Sequence, residues 1–166
     1  MNIVLCGMMG SGKTTVAAQL HRACGLDWVD TDEEIVKAHG EINKIFADFG
    51  EERFRDIESE VVKEVVSRCD NAVISLGGGC VLRKENVLEL KKNGKIFYLR
   101  AQPETIIARI SGDTTRPLLK GGLEEKVRSI SAARSKVYEG AADYIIDTDD
   151  LTPAQIAQKI TEIAGR

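Results

Sequence analysis

The segment Gly-Met-Met-Gly-Ser-Gly-Lys-Thr at residues 7–14 constrains the fold of this chain more than any other. It fits the pattern G-x-x-x-x-G-K-[ST], which lies between a strand and a helix and surrounds phosphate with backbone N–H groups. The flanking residues agree with this pattern. An apolar run at residues 2–6 predicts a buried strand, and residues 15–24 carry apolar side chains at helical spacing. We therefore expect a phosphate-binding loop, with a glycine-rich turn that binds nothing as the alternative.

Each part of this loop has an expected role. Glycines lack a Cβ atom, so the backbone can turn tightly and approach a ligand closely. Lys13 would reach the β- and γ-phosphate oxygens of a nucleotide, and the Thr14 hydroxyl would bind Mg²⁺. The helix that begins here adds the positive end of its dipole.

The composition is that of an ordinary globular protein. The chain has 166 residues, of which 43% are hydrophobic and 30% are charged, and we expect one domain over residues 1–166. The net charge of −3 argues against non-specific nucleic-acid binding, and no segment resembles a signal peptide or a membrane span. Four cysteines without metal-ligand spacing are interpreted as reduced, buried thiols of a cytoplasmic protein: Cys6, Cys24, Cys69 and Cys80.

Strands and helices alternate along the chain. Short apolar runs predict five strands, at residues 2–6, 26–30, 71–76, 95–100 and 144–146. Helical patterns lie between them, at residues 15–24, 32–40, 41–49, 51–68, 83–93, 103–110 and 123–140 and from residue 153 onward. This alternation predicts an α/β fold with a parallel sheet of about five strands.

Two aspartates follow the second predicted strand. Asp30 and Asp32 are two residues apart, so on an extended segment both side chains would project from the carboxyl end of the strand. Open α/β sheets bind ligands at that edge, and kinase chemistry needs one carboxylate near Mg²⁺ and another near a hydroxyl. The alternative is that Thr31 or Asp32 caps the next helix, and both roles can hold together.

Three further features allow more than one interpretation. Arg55 and Glu58 lie on one face of a predicted helix, where an exposed ion pair would be worth only tenths of a kcal/mol. The glycines at residues 77–79 indicate either a ligand or packed loop against the backbone or a flexible turn. The polar segment 111–122 contains Arg116 and is expected to be a closing lid, although a single arginine is more often a solvated charge.

These motifs together resemble the shikimate kinase family almost from end to end. The shared motifs are the loop at 7–14, Asp-Thr-Asp at 30–32, Phe-Arg at 54–55 with Glu58, Ser-Leu-Gly-Gly-Gly at 75–79, Thr-Arg-Pro-Leu-Leu at 115–119, and Arg134 four residues before Tyr138. The resemblance implies the three-layer α/β/α fold of nucleoside monophosphate kinases with sheet order 2-3-1-4-5. It also implies a substrate-binding segment at about 31–60 and transfer of the γ-phosphoryl group of MgATP to the 3-hydroxyl of shikimate, in chorismate and aromatic amino acid biosynthesis.

The resemblance assigns roles to individual residues. The catalytic residues would be Lys13, Asp32 and Arg116, while Thr14 and Asp30 would hold Mg²⁺. The residues that would contact ATP are Gly10, Ser11, Gly12, Lys13, Thr14, Thr15, Arg109, Arg116 and Pro153. The residues that would contact shikimate are Asp32, Phe46, Phe54, Arg55, Gly77, Gly78, Gly79 and Arg134. A monomer that binds neither nucleic acid nor a membrane is expected.

Two rival functions are compatible with the same loop. The first is another small-molecule kinase of this fold, such as a gluconate or nucleotide kinase. A nucleotide acceptor would need a base-binding pocket, of which the sequence shows no signature. Arg55 with Arg134 predicts an acceptor that carries a carboxylate, because guanidinium groups match carboxylates bidentately. The second rival is a regulatory nucleotide-binding module that has lost catalysis. The presence of Lys13, Asp32 and Arg116 argues against such a loss.

Overall fold

The computed structural model describes residues 1–111 and 122–166, which form helical layers on both faces of one parallel sheet. The sheet has the strand order β2-β3-β1-β4-β5, as the family resemblance implied. Its strands are β1 (Asn2–Cys6), β2 (Asp27–Asp30), β3 (Ala72–Ser75), β4 (Gly94–Arg100) and β5 (Tyr144–Asp147). All four strand pairs are parallel, which confirms the predicted α/β class.

Helices connect the strands in the order that the sequence predicted. They are α1 (Lys13–Cys24), α2 (Thr31–His39), α3 (Ile42–Arg68), α4 (Lys84–Lys91), α5 (Pro103–Ser111), α6 (Leu123–Ala141) and α7 (Pro153–Ala164). The predicted break at Gly50 is present inside α3, where φ of 81° and ψ of 174° interrupt the helical backbone. A short 3₁₀ turn, Cys80–Leu82, was not predicted. No helix within the described part of the chain is long and apolar enough to cross a membrane.

The alternating side chains of β1 explain the three layers. Ile3 and Leu5 point to one face of the sheet, where they pack with α1 and α7 residues such as Leu20 and Ile160. Val4 and Cys6 point to the other face, which α3, α4, α5 and α6 cover. A strand buried on both faces in this way is continuously apolar, which is why the run at residues 2–6 was recognisable.

The register of the strands brings three chain segments to one edge. Leu5 and Asp30 both pair with Ser75, so β1, β2 and β3 end at about the same height. The loop at residues 7–14, the start of α2 and the glycines at 77–79 therefore emerge side by side. This is the edge at which open parallel sheets bind ligands.

The prediction that all four cysteines are buried was wrong for one of them. Cys6 and Cys80 are buried and Cys69 is partly buried, but Cys24 is exposed. The apolar stripe of α1 ends at Leu20, and Cys24 is the last residue of the helix, next to the C-cap glycine. All four thiols are free.

We expect the four thiols to react in a fixed order with a thiol reagent such as DTNB. Cys24 should react first and Cys69 more slowly, whereas Cys6 and Cys80 should react only after unfolding. Burial raises the pKa of Cys6 to about 12 and the pKa of Cys80 well above its ordinary value, so little of either thiolate is present. Stopped-flow measurements with and without denaturant test this order. A fast-reacting thiol in the folded Cys24→Ser variant, which lacks the exposed cysteine, would contradict this order.

Candidate active site

A cavity of about 730 Å³ opens at the edge where β1, β2 and β3 end. It is lined by most of the residues that the sequence analysis selected: Gly10, Gly12, Lys13, Thr14, Thr15, Asp30, Asp32, Phe46, Phe54, Arg55, Gly77, Gly78, Gly79, Arg109 and Arg134. Ser11 and Pro153 do not line it. Arg116 and all but the ends of the expected lid lie outside the described residues.

The glycine loop has the shape of an anion site. Gly7, Gly10 and Gly12 have φ values of 145°, 80° and 95°, which residues with a Cβ rarely adopt. A Cβ on Gly10 would also lie 2.8 Å from Ile110 Cγ1. The Lys13 ammonium curls back over the loop and donates to the carbonyls of Gly7 and Met8 at 2.8 and 2.9 Å. This places a fixed positive charge where phosphate oxygens are expected.

The amino end of α1 adds to this positive region. Gly12 caps the helix with no side-chain hydrogen bond, and the first turn holds no acidic residue that would neutralise the helix dipole. The backbone N–H of Ser11 donates to the carbonyl of Met8 at 3.1 Å. The Ser11 hydroxyl is buried and has no hydrogen-bond partner among the described residues. Contact between Ser11 and ATP therefore stays a prediction.

The two aspartates lie together, but not by the geometry that the sequence suggested. α2 begins at Thr31, so Asp30 ends the strand and Asp32 is already in the first helical turn. Asp30, and not Thr31 or Asp32, is the N-cap, because its Oδ1 accepts hydrogen bonds from the N–H groups of Asp32 (2.9 Å) and Glu33 (3.2 Å). The expectation of a shared extended segment was wrong. Both carboxylates nevertheless line the cavity.

The electrostatic surroundings of Asp32 are unusual for a carboxylate. Burial, and then the neighbouring Asp30 charge, raise the pKa of Asp32, while Lys13 and Arg55 act in the opposite direction. A raised pKa makes a carboxylate a better proton acceptor, which suits a group that faces a reacting hydroxyl.

Arg55 and Glu58 form a buried ion pair, so the exposed-pair interpretation was wrong. Arg55 Nη1 donates to Glu58 Oε2 at 2.9 Å, and the two side chains are only 11% and 1% exposed. Burial raises the pKa of Glu58 although Arg55 lowers it. The sequence did contain a signal, because Glu58 lies within the apolar stripe between Phe54 and Val62, where a carboxylate without a partner would be costly.

The glycine run is a packed loop and not a flexible turn. The Gly77 N–H donates to Thr31 Oγ1 at 3.0 Å, and a Cβ on Gly77 would lie 2.5 Å from Asp32 Oδ1. A Cβ on Gly79 would overlap the Arg55 guanidinium. Gly77 and Gly79 are therefore required because a carboxylate and a guanidinium pack directly on this backbone, whereas a Cβ on Gly78 would meet no atom closer than 3.6 Å.

The remaining arginines approach the cavity from α5 and α6. Arg134 lines the cavity beside Gly78. Arg109 Nη1 donates to the carbonyls of Gly10 and Ser11 at 3.3 Å, and its Nη2 donates to Thr148 O at 3.4 Å. Arg109 thus joins the phosphate loop to the segment that leads to α7.

Two aromatic rings form the apolar wall of the cavity. The Phe46 and Phe54 ring centroids are 4.6 Å apart at an angle of 35°, and Arg55 Cζ lies 5.2 Å from the Phe54 centroid. Ser75 also lines the cavity but was not selected from the sequence. Its Oγ is buried and has no partner among the described residues. The signal for Ser75 was a polar residue in an otherwise apolar strand.

Comparison with known proteins places this geometry in one family. The shikimate kinase family model matches residues 9–164. Shikimate kinase of Thermodesulfovibrio yellowstonii is 48% identical over 161 residues, covering 96% of this chain and 92% of that protein. Shikimate kinase of Caldicellulosiruptor bescii is 46% identical over 165 residues, with 98% and 94% coverage.

Solved structures agree with these matches. The complex of Acinetobacter baumannii shikimate kinase with shikimate has a TM-score of 0.88 at 36% identity, covering 98% of this chain and 92% of that one. A sugar kinase from Janibacter, at 16% identity and a TM-score of 0.69, covers 99% of this chain and 94% of that one and shares the fold alone. The family model and the curated relatives each span nearly the whole chain, and this chain therefore belongs to the shikimate kinase family.

Proposed function

We propose that the protein transfers the γ-phosphoryl group of ATP to the 3-hydroxyl of shikimate, giving shikimate 3-phosphate and ADP. In the cell this step would serve chorismate and aromatic amino acid biosynthesis. The proposal rests on family membership and on one structural observation: the phosphate loop, the buried Arg55 and Arg134 line a single cavity.

The two sides of this cavity suit the two substrates. Lys13 and the amino end of α1 provide positive charge for the phosphates of ATP. On the other side, the guanidinium groups of Arg55 and Arg134 match a carboxylate. The Phe46 and Phe54 rings, which are in tilted contact, offer an apolar surface for the carbon ring of the acceptor.

Asp32 lines the cavity, where both Lys13 and Arg55 act on its carboxylate, and it is the proposed partner of the reacting hydroxyl. Its carboxylate would accept the hydrogen bond of the 3-hydroxyl and take its proton as the new phosphate ester forms. The raised pKa of Asp32 supports this role. Lys13 would stabilise the charge on the transferred group by electrostatics alone, because phosphoryl transfer needs little covalent chemistry from the protein.

The oxygen ligands near the loop fit Mg²⁺. Asp30 Oδ1 caps α2, whereas its Oδ2 accepts no hydrogen bond from the described residues, and Asp30 and Thr14 line the same cavity. The orphaned Ser75 Oγ adds a buried polar atom beside Asp30. Hard oxygen donors of this kind are those that Mg²⁺ prefers. When bound, the ion would neutralise charge on the β- and γ-phosphates, with Thr14 and Asp30 holding it.

Several parts of the proposal extend beyond the described contacts. Arg116 and a lid over residues 111–122 would close on the phosphates and exclude water. Pro153, as the first residue of α7, would border the adenine together with Arg109. We further propose that residues 1–166 act as one domain, a monomer in the cytoplasm.

A coupled ADP-release assay with shikimate, quinate and gluconate tests the proposal. We expect rapid turnover with shikimate, weaker turnover with quinate, which shares both the carboxylate and the carbon ring, and none with gluconate, whose carboxylate is on an open chain. Preference for gluconate would support the sugar-acid kinase alternative. ATP binding without turnover of any acceptor would support a regulatory module and contradict the proposal.

A further inference from the structure

Tyr138 lies directly behind the glycine run without lining the cavity. It is one turn after Arg134 on α6 and is 1% exposed. Its O–H donates to the carbonyl of Gly78 at 2.6 Å, across 60 residues of sequence. The Tyr138 ring stacks on Tyr98 of β4, with centroids 5.0 Å apart and an angle of 29°. The hydroxyl is therefore held at a fixed position against one peptide group of the glycine run.

This hydrogen bond determines the direction of a neighbouring donor. In a planar trans peptide the C=O of Gly78 and the N–H of Gly79 point in opposite directions, and the Gly78–Gly79 bond is not cis. A carbonyl held towards Tyr138 thus turns the Gly79 N–H away from Tyr138. Within the described residues, neither the Gly78 N–H nor the Gly79 N–H donates a hydrogen bond, and both glycines line the cavity.

Three successive glycines would not hold this orientation by themselves. Glycine has access to most of the backbone conformational map, so the peptide plane between Gly78 and Gly79 could rotate at little energetic cost. The Arg55 guanidinium packs against Gly79 from the side but does not fix the Gly78 carbonyl. Among the described residues, Tyr138 is the side chain that does.

We propose that Tyr138 is a positioning residue for the acceptor carboxylate. Its hydroxyl fixes the Gly78–Gly79 peptide so that the Gly79 N–H is presented to the carboxylate that Arg55 and Arg134 bind. The arginines attract the carboxylate by their charge, and the hydrogen bond from the fixed Gly79 N–H would set its orientation. This inference rests on the proposed function, because it requires an acceptor that carries a carboxylate.

The variant Tyr138→Phe tests the inference, since it keeps the ring and removes the hydroxyl. We expect the KM for shikimate to rise about tenfold, because the variant loses the hydrogen bond that orients the Gly78–Gly79 peptide. The kcat should fall less than about threefold, and the KM for ATP should be unchanged. Tyr98→Phe is the matched control, because its ring belongs to the same stack and its hydroxyl makes no hydrogen bond to the described residues. It should leave the KM for shikimate within about twofold.

The methyl ester of shikimate separates positioning from general damage. Tyr138→Phe should raise the KM for shikimate far more than the KM for the uncharged ester, so that discrimination between the acid and the ester falls about tenfold. Equal losses for acid and ester, or an unchanged KM for shikimate, would overturn the inference and leave the proposed function intact. No turnover of shikimate by the unmodified protein would overturn both.

A measurement on the unmodified protein covers the case in which Tyr138→Phe fails to fold. Titration of ¹⁵N-labelled protein with shikimate should move the Gly79 amide proton downfield as it donates to the carboxylate. The methyl ester should move it much less. A Gly79 amide that does not respond to shikimate would overturn the inference.

Discussion

Asp32→Asn should lower kcat for shikimate phosphorylation by about a thousandfold and leave ATP affinity within about twofold. The change keeps the size of the side chain but removes its ability to accept a proton. Asp32 lines the cavity together with the phosphate loop and Arg55, and its raised pKa suits proton transfer. Steady-state kinetics and nucleotide titration by calorimetry measure the two effects.

Glu33→Gln is the matched control for Asp32→Asn. Glu33 is in the same first turn of α2, where its negative charge also interacts favourably with the positive end of the helix dipole. Its side chain is exposed and does not line the cavity. It should change kcat by less than about twofold. Normal turnover by a folded Asp32→Asn protein would show that Asp32 takes no part in the reaction. Loss of ATP binding would mean that the substitution disturbs the phosphate loop instead.

The centre of the sheet was predictable from sequence because β1 and β3 are buried on both faces. Such strands are continuous apolar runs. The helices predicted at residues 15–24 and 41–49 were bounded by Gly25 and Gly50, where the structure also has a helix end and a break in the helical backbone. The phosphate loop was predictable for a different reason, since its backbone conformation requires glycine at fixed positions. In these segments the local sequence alone determines the geometry.

The relations between distant side chains were less predictable. The placement of the Asp32 side chain depended on whether α2 begins one residue after Asp30. A helix boundary can rarely be predicted from sequence to within one residue. The burial of Glu58 depended on the packing of α3 against the sheet and the glycine run. The role of Tyr138 depends on Gly78, 60 residues away, which no local pattern encodes. Ser75 was marked locally as a polar residue in an apolar strand, but its place beside Asp30 depends on the pairing of β2 with β3.

Glu58→Gln should raise the KM for shikimate about thirtyfold, with kcat reduced much less. Glu58 is the buried partner of Arg55, and a charge-assisted hydrogen bond of this kind is worth about 2 kcal/mol, which corresponds to about thirtyfold in affinity. Without that charge, Arg55 is drawn towards the exposed Glu51, which it already approaches at 3.5 Å. A buried ion pair adds little net stability compared with apolar packing, so we infer that Glu58 mainly orients Arg55.

Glu51→Gln provides the control, because it removes the other carboxylate from the same guanidinium. Glu51 is 65% exposed, whereas Glu58 is 1% exposed. Solvent screens the Glu51 pair, so its loss should change the KM for shikimate by less than about twofold. Thermal unfolding of both variants verifies that they are folded at the assay temperature. Equal effects of the two substitutions would mean that burial of Glu58 plays no part in holding Arg55. A large fall in kcat at an unchanged KM would instead place Glu58 in the chemical step, since a residue that only orients a substrate-binding group acts on binding.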